Sequence, residues 1–353
     1  MEFQAETKQL LDIVTNSLYT DKEVFLRELV SNASDACEKL RHMQSTNAEI
    51  IESETPLEIR IELDEVTSTI TISDTGIGMS EEEMIENLGT IARSGSKNFI
   101  HELQRQAEEG DMDISKGIIG KFGVGFYSVF MIADQVEVRS KPASGGPGTV
   151  WTSDGTGTFE VSPLPEDIRQ GRGTSIVIHL NSEFWHLIDE NKLTDVLKKY
   201  SNFVQFPIMV NGNRVNTIQA VWAMDPREVE HDTYVDFYKY IANAVDEPVD
   251  IIHFRAEAPL DVKALFYIPS FHSEKYGMER MQPGVNLYNR KVLIESKSPD
   301  ILPDWMRFIK GAVDSEDLPL AVSREKPQDT ALIRKLRTAL TRRFISHLEK
   351  MAK

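Results

Sequence analysis

Arg27-Glu-Leu-Val-Ser-Asn-Ala-Ser-Asp-Ala36 lies inside a run from Lys22 to Met43 in which apolar residues recur at helical spacing. Thr20 or Asp21, just before that run, supplies a candidate N-cap. At about 100° per residue, Glu28, Asn32, Asp35 and Lys39 share one narrow arc, while Leu26, Leu29, Val30, Ala33, Ala36, Cys37 and Leu40 fill the opposite one. The helix is amphipathic, and one reading of its polar arc is a solvated face. The other reading is chemical. A carboxylate one turn from an asparagine amide offers an oxygen ligand for Mg2+ beside a group able to orient or deprotonate water.

Outward from this helix, Leu57 to Leu63 and Ser68 to Ser73 alternate with period two around the polar Asp64-Glu65, the pattern of paired antiparallel strands with one buried face. Asp74-Thr-Gly-Ile-Gly-Met79 follows directly. Its glycines let the backbone turn tightly near a ligand, and Asp74 at the strand exit is an acceptor suited to a purine amino group; a plain Asp-X-Gly turn has the same local signature. A second glycine cluster, Gly117 to Ser128, leads into the apolar run Val129 to Ala133, which reads as helical, and amides at a helix N-terminus favour phosphate. Gly120-x-x-Gly-x-Gly125 reverses the dinucleotide spacing and no Gly-x4-Gly-Lys-Ser/Thr occurs, so the cluster is a phosphate loop of a third kind or a hinge.

The remaining pattern predicts a helix over Glu6 to Leu18, strands at Gln135 to Ser140, Thr149 to Ser153 and Thr174 to Leu180, and a helix over Leu193 to Phe203. The region Glu81 to Phe130, with several glycines and the acidic Glu108 to Asp113, reads as a movable insertion. Phe206 to Asn213 reads as a strand and turn that open a second domain, with the join near Pro207 and domains over 1–207 and 208–353. Leu332, Leu336, Leu340, Phe344 and Leu348 mark the apolar stripe of a basic closing helix.

The 353 residues suffice for two or three domains, and 41 % hydrophobic with 27 % charged residues is an ordinary globular composition. A formal charge of -17 argues against a nucleic-acid coat, and no apolar run reaches the roughly 18 residues of a membrane helix. The single Cys37 excludes an intramolecular disulfide and, lying on the apolar arc, reads as core packing. The eight histidines show no metal-ligand spacing, and Met1 reads equally as the start of an ordered chain and as a start codon placed on a fragment whose targeting segment was cut away.

Arg27 to Ala36, Asp74 to Met79, Asn87-Leu-Gly-Thr-Ile-Ala92 and Gly120 to Ser128, taken in order, resemble the nucleotide-site boxes of the heat-shock protein 90 chaperones. The resemblance extends through Asp314-Ser-Glu-Asp-Leu-Pro-Leu320 and Ser323-Arg-Glu325. Glu2 to Lys8, and the direct run from Lys199-Tyr-Ser-Asn-Phe203 into the second domain, look like the mitochondrial member, with the bacterial members as the near alternative.

That resemblance implies a two-layer α/β sandwich of the gyrase, chaperone, histidine-kinase and mismatch-repair type, followed by an α/β middle domain. It implies ATP and Mg2+ as ligands, with Glu28 positioning the attacking water, Asn32 holding Mg2+ and Asp74 bonding the adenine amino group. Asp35, Lys39, Gly78, Met79, Asn87, Ser94, Gly120, Phe122, Gly123, Val124, Gly125 and Phe126 would line the nucleotide, and Thr174 would support Asp74 through water. Residues 94–123 would form a lid hinged at Gly95, Gly117 and Gly120. Arg324 would supply positive charge at the γ-phosphate, with Gln328 nearby. The family commonly has Asn where Ala321 stands and apolar residues at Lys326-Pro327, a departure expected to re-aim this loop. The same resemblance implies client proteins as partners, a homodimer made through a C-terminal domain missing here, no nucleic acid, no integral membrane contact, and the mitochondrial matrix or a bacterial cytoplasm as location. A DNA-acting ATPase of the same superfamily, a histidine kinase, and a nucleotide-binding module without turnover are the rival readings.

Overall fold

The computed structural model describes residues 11, 21–46, 48–90, 123–165, 168, 171–256, 261–318 and 330–352. They form two compact units, residues 1–217 and 218–353.

In the first unit, helix α1 (Val24–Ser45) starts two residues later than its apolar pattern suggests. Asp21 does not cap it in the usual sense: its Oδ1 accepts the Glu23 N–H at 2.9 Å, and its carbonyl accepts the Val24 N–H. Strands β1 (Ile59–Asp64) and β2 (Thr69–Asp74) form the expected antiparallel pair. Helix α2 (Glu81–Leu88) begins with a capping box, in which Ser80 accepts the Glu83 N–H while the Glu83 carboxylate accepts the Ser80 N–H. A 3-10 helix over Gly125–Met131 then gives way to strand β3 (Ala133–Lys141). The helical run read over Val129 to Ala133 holds as a 3-10 helix as far as Met131 and is corrected at its end: Val129 and Met131 are buried in that helix, and Ala133 already pairs with Leu180 in the sheet. Strands β4 (Thr149–Ser153), β5 (Glu160–Pro163) and β6 (Gly173–Leu180) follow. Helix α3 covers Glu190–Tyr200, three residues earlier than read, because Asp189 caps it by accepting the Asn191 and Lys192 N–H groups.

Strands β7 (Ile208–Val210) and β8 (Asn213–Arg214) complete an eight-stranded sheet of order β5-β4-β3-β6-β2-β1-β7-β8. Strand β7 lies parallel to β1, with Ile59 opposite Ile208. The segment read as opening the second domain thus closes the first, and the division falls at Thr217/Ile218. Register explains where chemistry can sit. One cross-strand row, Trp151–Val138–Ile176–Ile72–Ile61, is apolar, and the next row at the strand ends is Thr149–Ser140–Thr174–Asp74–Ile59. Residues directly opposite share a face, so a polar row terminates the apolar core beneath α1.

In the second unit, helix α4 (His231–Ala242) packs on a five-stranded sheet of order β12-β11-β13-β10-β9. Its strands are β9 (Pro248–Ala256), β10 (Val262–Pro269), β11 (Gly284–Asn289), β12 (Val292–Glu295) and β13 (Lys310–Ser315). Asp314, at the end of β13, accepts the backbone N–H groups of Arg290 and Lys291 at 2.9 Å each and the Trp222 indole N–H at 3.1 Å. It thereby holds a hairpin turn whose two non-glycine residues have φ of 51° and 65°. Helix α5 (Thr330–Met351) buries Ile333, Leu336, Leu340 and Phe344. The stripe read at four-residue spacing from Leu332 to Leu348 drifts by about 40° per step on a 3.6-residue helix. Leu348 accordingly turns outward, and Ile333 replaces Leu332 in the core. Among the described residues no helix is long and apolar enough to cross a membrane.

Candidate nucleotide site

The polar arc of α1 is not a solvated face. Glu28 is 2 % exposed and Asp35 1 %, while Asn32 and Lys39 are half-buried. Arg27 donates to Glu28 Oε1 from both Nε, at 3.1 Å, and Nη2, at 2.9 Å, within a pair buried on both sides. The Glu28 charge is thus matched from one side, which is what makes a buried carboxylate tolerable. Its second oxygen faces Gly125, where an added Cβ would fall 2.5 Å from Oε2. Gly125 and Glu28 are brought together by packing of the 3-10 helix against α1. Burial lowers the Lys39 ammonium below the ordinary lysine value, while Asp35, Glu83 and Asp74 pull it back up.

Asp74 ends β2 at 6 % exposure and accepts the Gly76 N–H at 2.9 Å through Oδ1. The loop that follows is bracketed by glycines. A Cβ on Gly76 would meet the Ala36 carbonyl carbon at 2.5 Å, and the Ile77 N–H bonds the Ala36 oxygen at 3.1 Å. Gly78 adopts φ 66° and touches the Lys141 carbonyl so closely that a Cβ would lie 2.0 Å away. The Met79 N–H then donates to Ser140 Oγ at 2.9 Å. Ser140 in turn lies 2.9 Å from Thr174 Oγ1 and donates to the Gly173 carbonyl at 3.1 Å. Asn87 is half-buried on α2, whose Leu88 carbonyl accepts the Tyr127 hydroxyl at 2.9 Å. Gly123, in the left-handed region at φ 67°, precedes buried Val124, and buried Phe126 meets Trp151 edge-on at 5.7 Å.

Glu28, Asn32, Asp35 and Lys39 on α1, the Asp74 to Met79 loop docked on its middle, Thr174, and the Gly125 turn therefore meet within one unit. Ser94, Gly120, Phe122, Arg324 and Gln328 lie outside the described residues, as do the hinges Gly95 and Gly117. Cys37 is fully buried, its thiol pushed up by burial and by the Asp74 charge, in keeping with a packing role. Two participants escaped the sequence reading. Arg27 carries no signal of its own in the sequence, because only the fold shows that it is buried together with Glu28. Ser140 left a trace: Val136, Val138 and Ser140 share one strand phase, and a hydroxyl there breaks an inward apolar series.

Among the described residues no group of three or more His, Cys, Asp or Glu is arranged to hold a metal ion. Mg2+ does not require one. It keeps several waters and takes one or two protein oxygens together with substrate phosphates, a role that fits the half-buried Asn32 amide beside Glu28.

A helix carrying a buried carboxylate and a half-buried amide is thus set over a sheet whose last row presents an aspartate, and is bracketed by two close-packed glycine turns. Residues 10–154 match the family model described as "Histidine kinase-, DNA gyrase B-, and HSP90-like ATPase", and residues 210–353 match "Hsp90 protein". The chain is 52 % identical to "Heat shock protein 75 kDa, mitochondrial" of Rattus norvegicus, over 98 % of this chain and 48 % of that protein. It is 50 % identical to "Chaperone protein HtpG" of Desulfitobacterium hafniense, over 100 % of this chain and 56 % of that one. Against "TNF receptor-associated protein 1 homolog, mitochondrial" of Dictyostelium discoideum identity is 47 %, over 100 % of this chain and 49 % of that protein. The chain belongs to the Hsp90 family. It spans about half the length of the curated relatives it matches.

Proposed function

We propose that the chain is the ATP-binding and middle part of an ATP-dependent chaperone that binds and slowly hydrolyses Mg-ATP. The observation that carries this reading is Glu28, buried at 2 % exposure, paired to Arg27 through one oxygen and turned toward Gly125 through the other. A carboxylate so held remains an acceptor for a water proton, and its burial strengthens that interaction relative to bulk water. Asp74 bonds the purine amino group, assisted by Thr174. Gly78, Met79, Asn87 and Phe126 line the base and sugar, and Gly123, Val124 and Gly125 present backbone N–H groups to the phosphates. Asn32 holds Mg2+, with Asp35 and Lys39 completing the polar wall; bound there, the ion would neutralise phosphate charge. Arg324 is the proposed source of further positive charge at the γ-phosphate, with Gln328 beside it and residues 94–123 acting as a lid.

On this reading the longer protein is a homodimer that closes on ATP and assists client proteins, in a mitochondrial matrix or a bacterial cytoplasm. The names of the relatives above support both locations. ATP affinity and phosphate release, measured on this chain and on one extended to the length of the relatives, test the proposal. Binding in both with faster turnover in the longer chain is expected. Absence of ATP binding in both would remove it.

A further inference from the structure

We propose that Ser140 is a specificity-determining residue of the purine site, acting through Thr174 to make that end of the pocket accept hydrogen bonds. It thereby selects a 6-amino purine over a 6-oxo purine. The inference rests on the nucleotide reading above and deepens it.

Ser140 is fully buried and has one hydroxyl proton and two lone pairs. Three groups surround its oxygen: the Met79 N–H at 2.9 Å, the Gly173 carbonyl at 3.1 Å and Thr174 Oγ1 at 2.9 Å. An N–H only donates and a carbonyl only accepts. Either hydroxyl can donate across the Ser140–Thr174 contact; in the proposed arrangement the Ser140 proton goes to Gly173, one lone pair takes Met79, and the other takes the proton of Thr174. With its own proton committed, Thr174 meets any ligand through lone pairs alone. Asp74 stands directly opposite Thr174 on the same sheet face and is an acceptor as well. Both residues are buried, at 6 % and 7 % exposure.

Two buried acceptors side by side call for a group that donates twice, directly or through one water. A 6-amino group has two N–H bonds, whereas a 6-oxo group presents another acceptor and leaves buried lone pairs facing one another. A site built around hydrogen-bond polarity rejects the mismatched analogue far more strongly than an apolar pocket does. In this account Ser140 is a positioning residue that never touches the nucleotide; it fixes the direction in which Thr174 presents its hydroxyl.

The test is calorimetric titration of the 353-residue chain with ATP and with inosine triphosphate. Parent, Ser140→Ala, Ser140→Thr, Thr174→Val and Asp74→Asn proteins are compared, with near-ultraviolet circular dichroism to establish folding. Ser140→Ala frees the Thr174 proton, so the ATP-over-ITP affinity ratio should fall by about tenfold or more, and Ser140→Thr should restore it to within about threefold. Thr174→Val should also lower the ratio, and it serves if Ser140→Ala does not fold. An unchanged ratio in folded Ser140→Ala or Thr174→Val, or a parent without preference for ATP, overturns the inference. Retained ATP affinity in folded Asp74→Asn would instead overturn the reading of the site itself.

Discussion

Gly125 lies against Glu28 so closely that a methyl group on it would fall 2.5 Å from Glu28 Oε2 and 3.3 Å from Glu28 Cβ. The other carboxylate oxygen is held by Arg27, so the side chain is gripped between a guanidinium and a bare backbone. A buried carboxylate in that grip has little freedom to rotate. This is the condition for directing a water molecule repeatedly along one line of attack.

Gly125→Ala should therefore act on turnover more than on fold. The carboxylate would be pushed off its line, lowering phosphate release by about tenfold or more, while overpacking costs about 1 to 3 kcal/mol of stability. Comparing single-turnover rates with thermal unfolding checks this. Parent-like turnover in the alanine variant would show that the Glu28 position is not critical.

Glu28→Ala should keep Mg-ATP binding and lose about 10² to 10⁴ in hydrolysis rate, as removal of a general base does. It also deprives the buried Arg27 guanidinium of its carboxylate, so the melting temperature should fall. Calorimetry and phosphate release, run on the same sample, separate the two effects. Hydrolysis at the parent rate would place the base elsewhere.

Much of this was readable in the residues. The α1 periodicity, the β1 and β2 pair and the Asp74 glycine loop follow from local pattern, and so do their positions to within a few residues. What sequence pattern did not decide was the fate of the polar arc of α1. Periodicity reports that Glu28 and Asp35 share a side, but only the docking of the Gly76 loop and the 3-10 helix reveals that this side is buried. Strand β7 reads from local pattern as part of the second domain for a related reason: its parallel partner β1 lies almost 150 residues away in the chain, and no local rule pairs Ile208 with Ile59.

In the second unit, Glu274 accepts the Arg307 guanidinium at 2.8 and 2.6 Å and the Met281 N–H at 2.8 Å. The Arg307 bonds, then that N–H, hold its carboxyl at about 2 against an ordinary value of 4.5. A depressed acid stabilises the fold above its unfolded value, and that contribution disappears as pH falls from about 4.5 toward 2. Arg307→Met should therefore lower the urea midpoint at about pH 6, with the gap to the parent closing below about pH 3. A gap independent of pH would mean that the ion pair contributes nothing measurable.

The most direct measurement is calorimetric titration of ATP into the parent and Asp74→Asn proteins, because Asp74 is where the account joins the sheet to the purine. In the variant an amide N–H would confront the purine amino group and leave a buried donor unpaired, at about 1 to 3 kcal/mol or more. The account predicts saturable ATP binding by the parent and none detectable in a variant with a native circular dichroism spectrum. Near-parent affinity in a folded Asp74→Asn protein would contradict it.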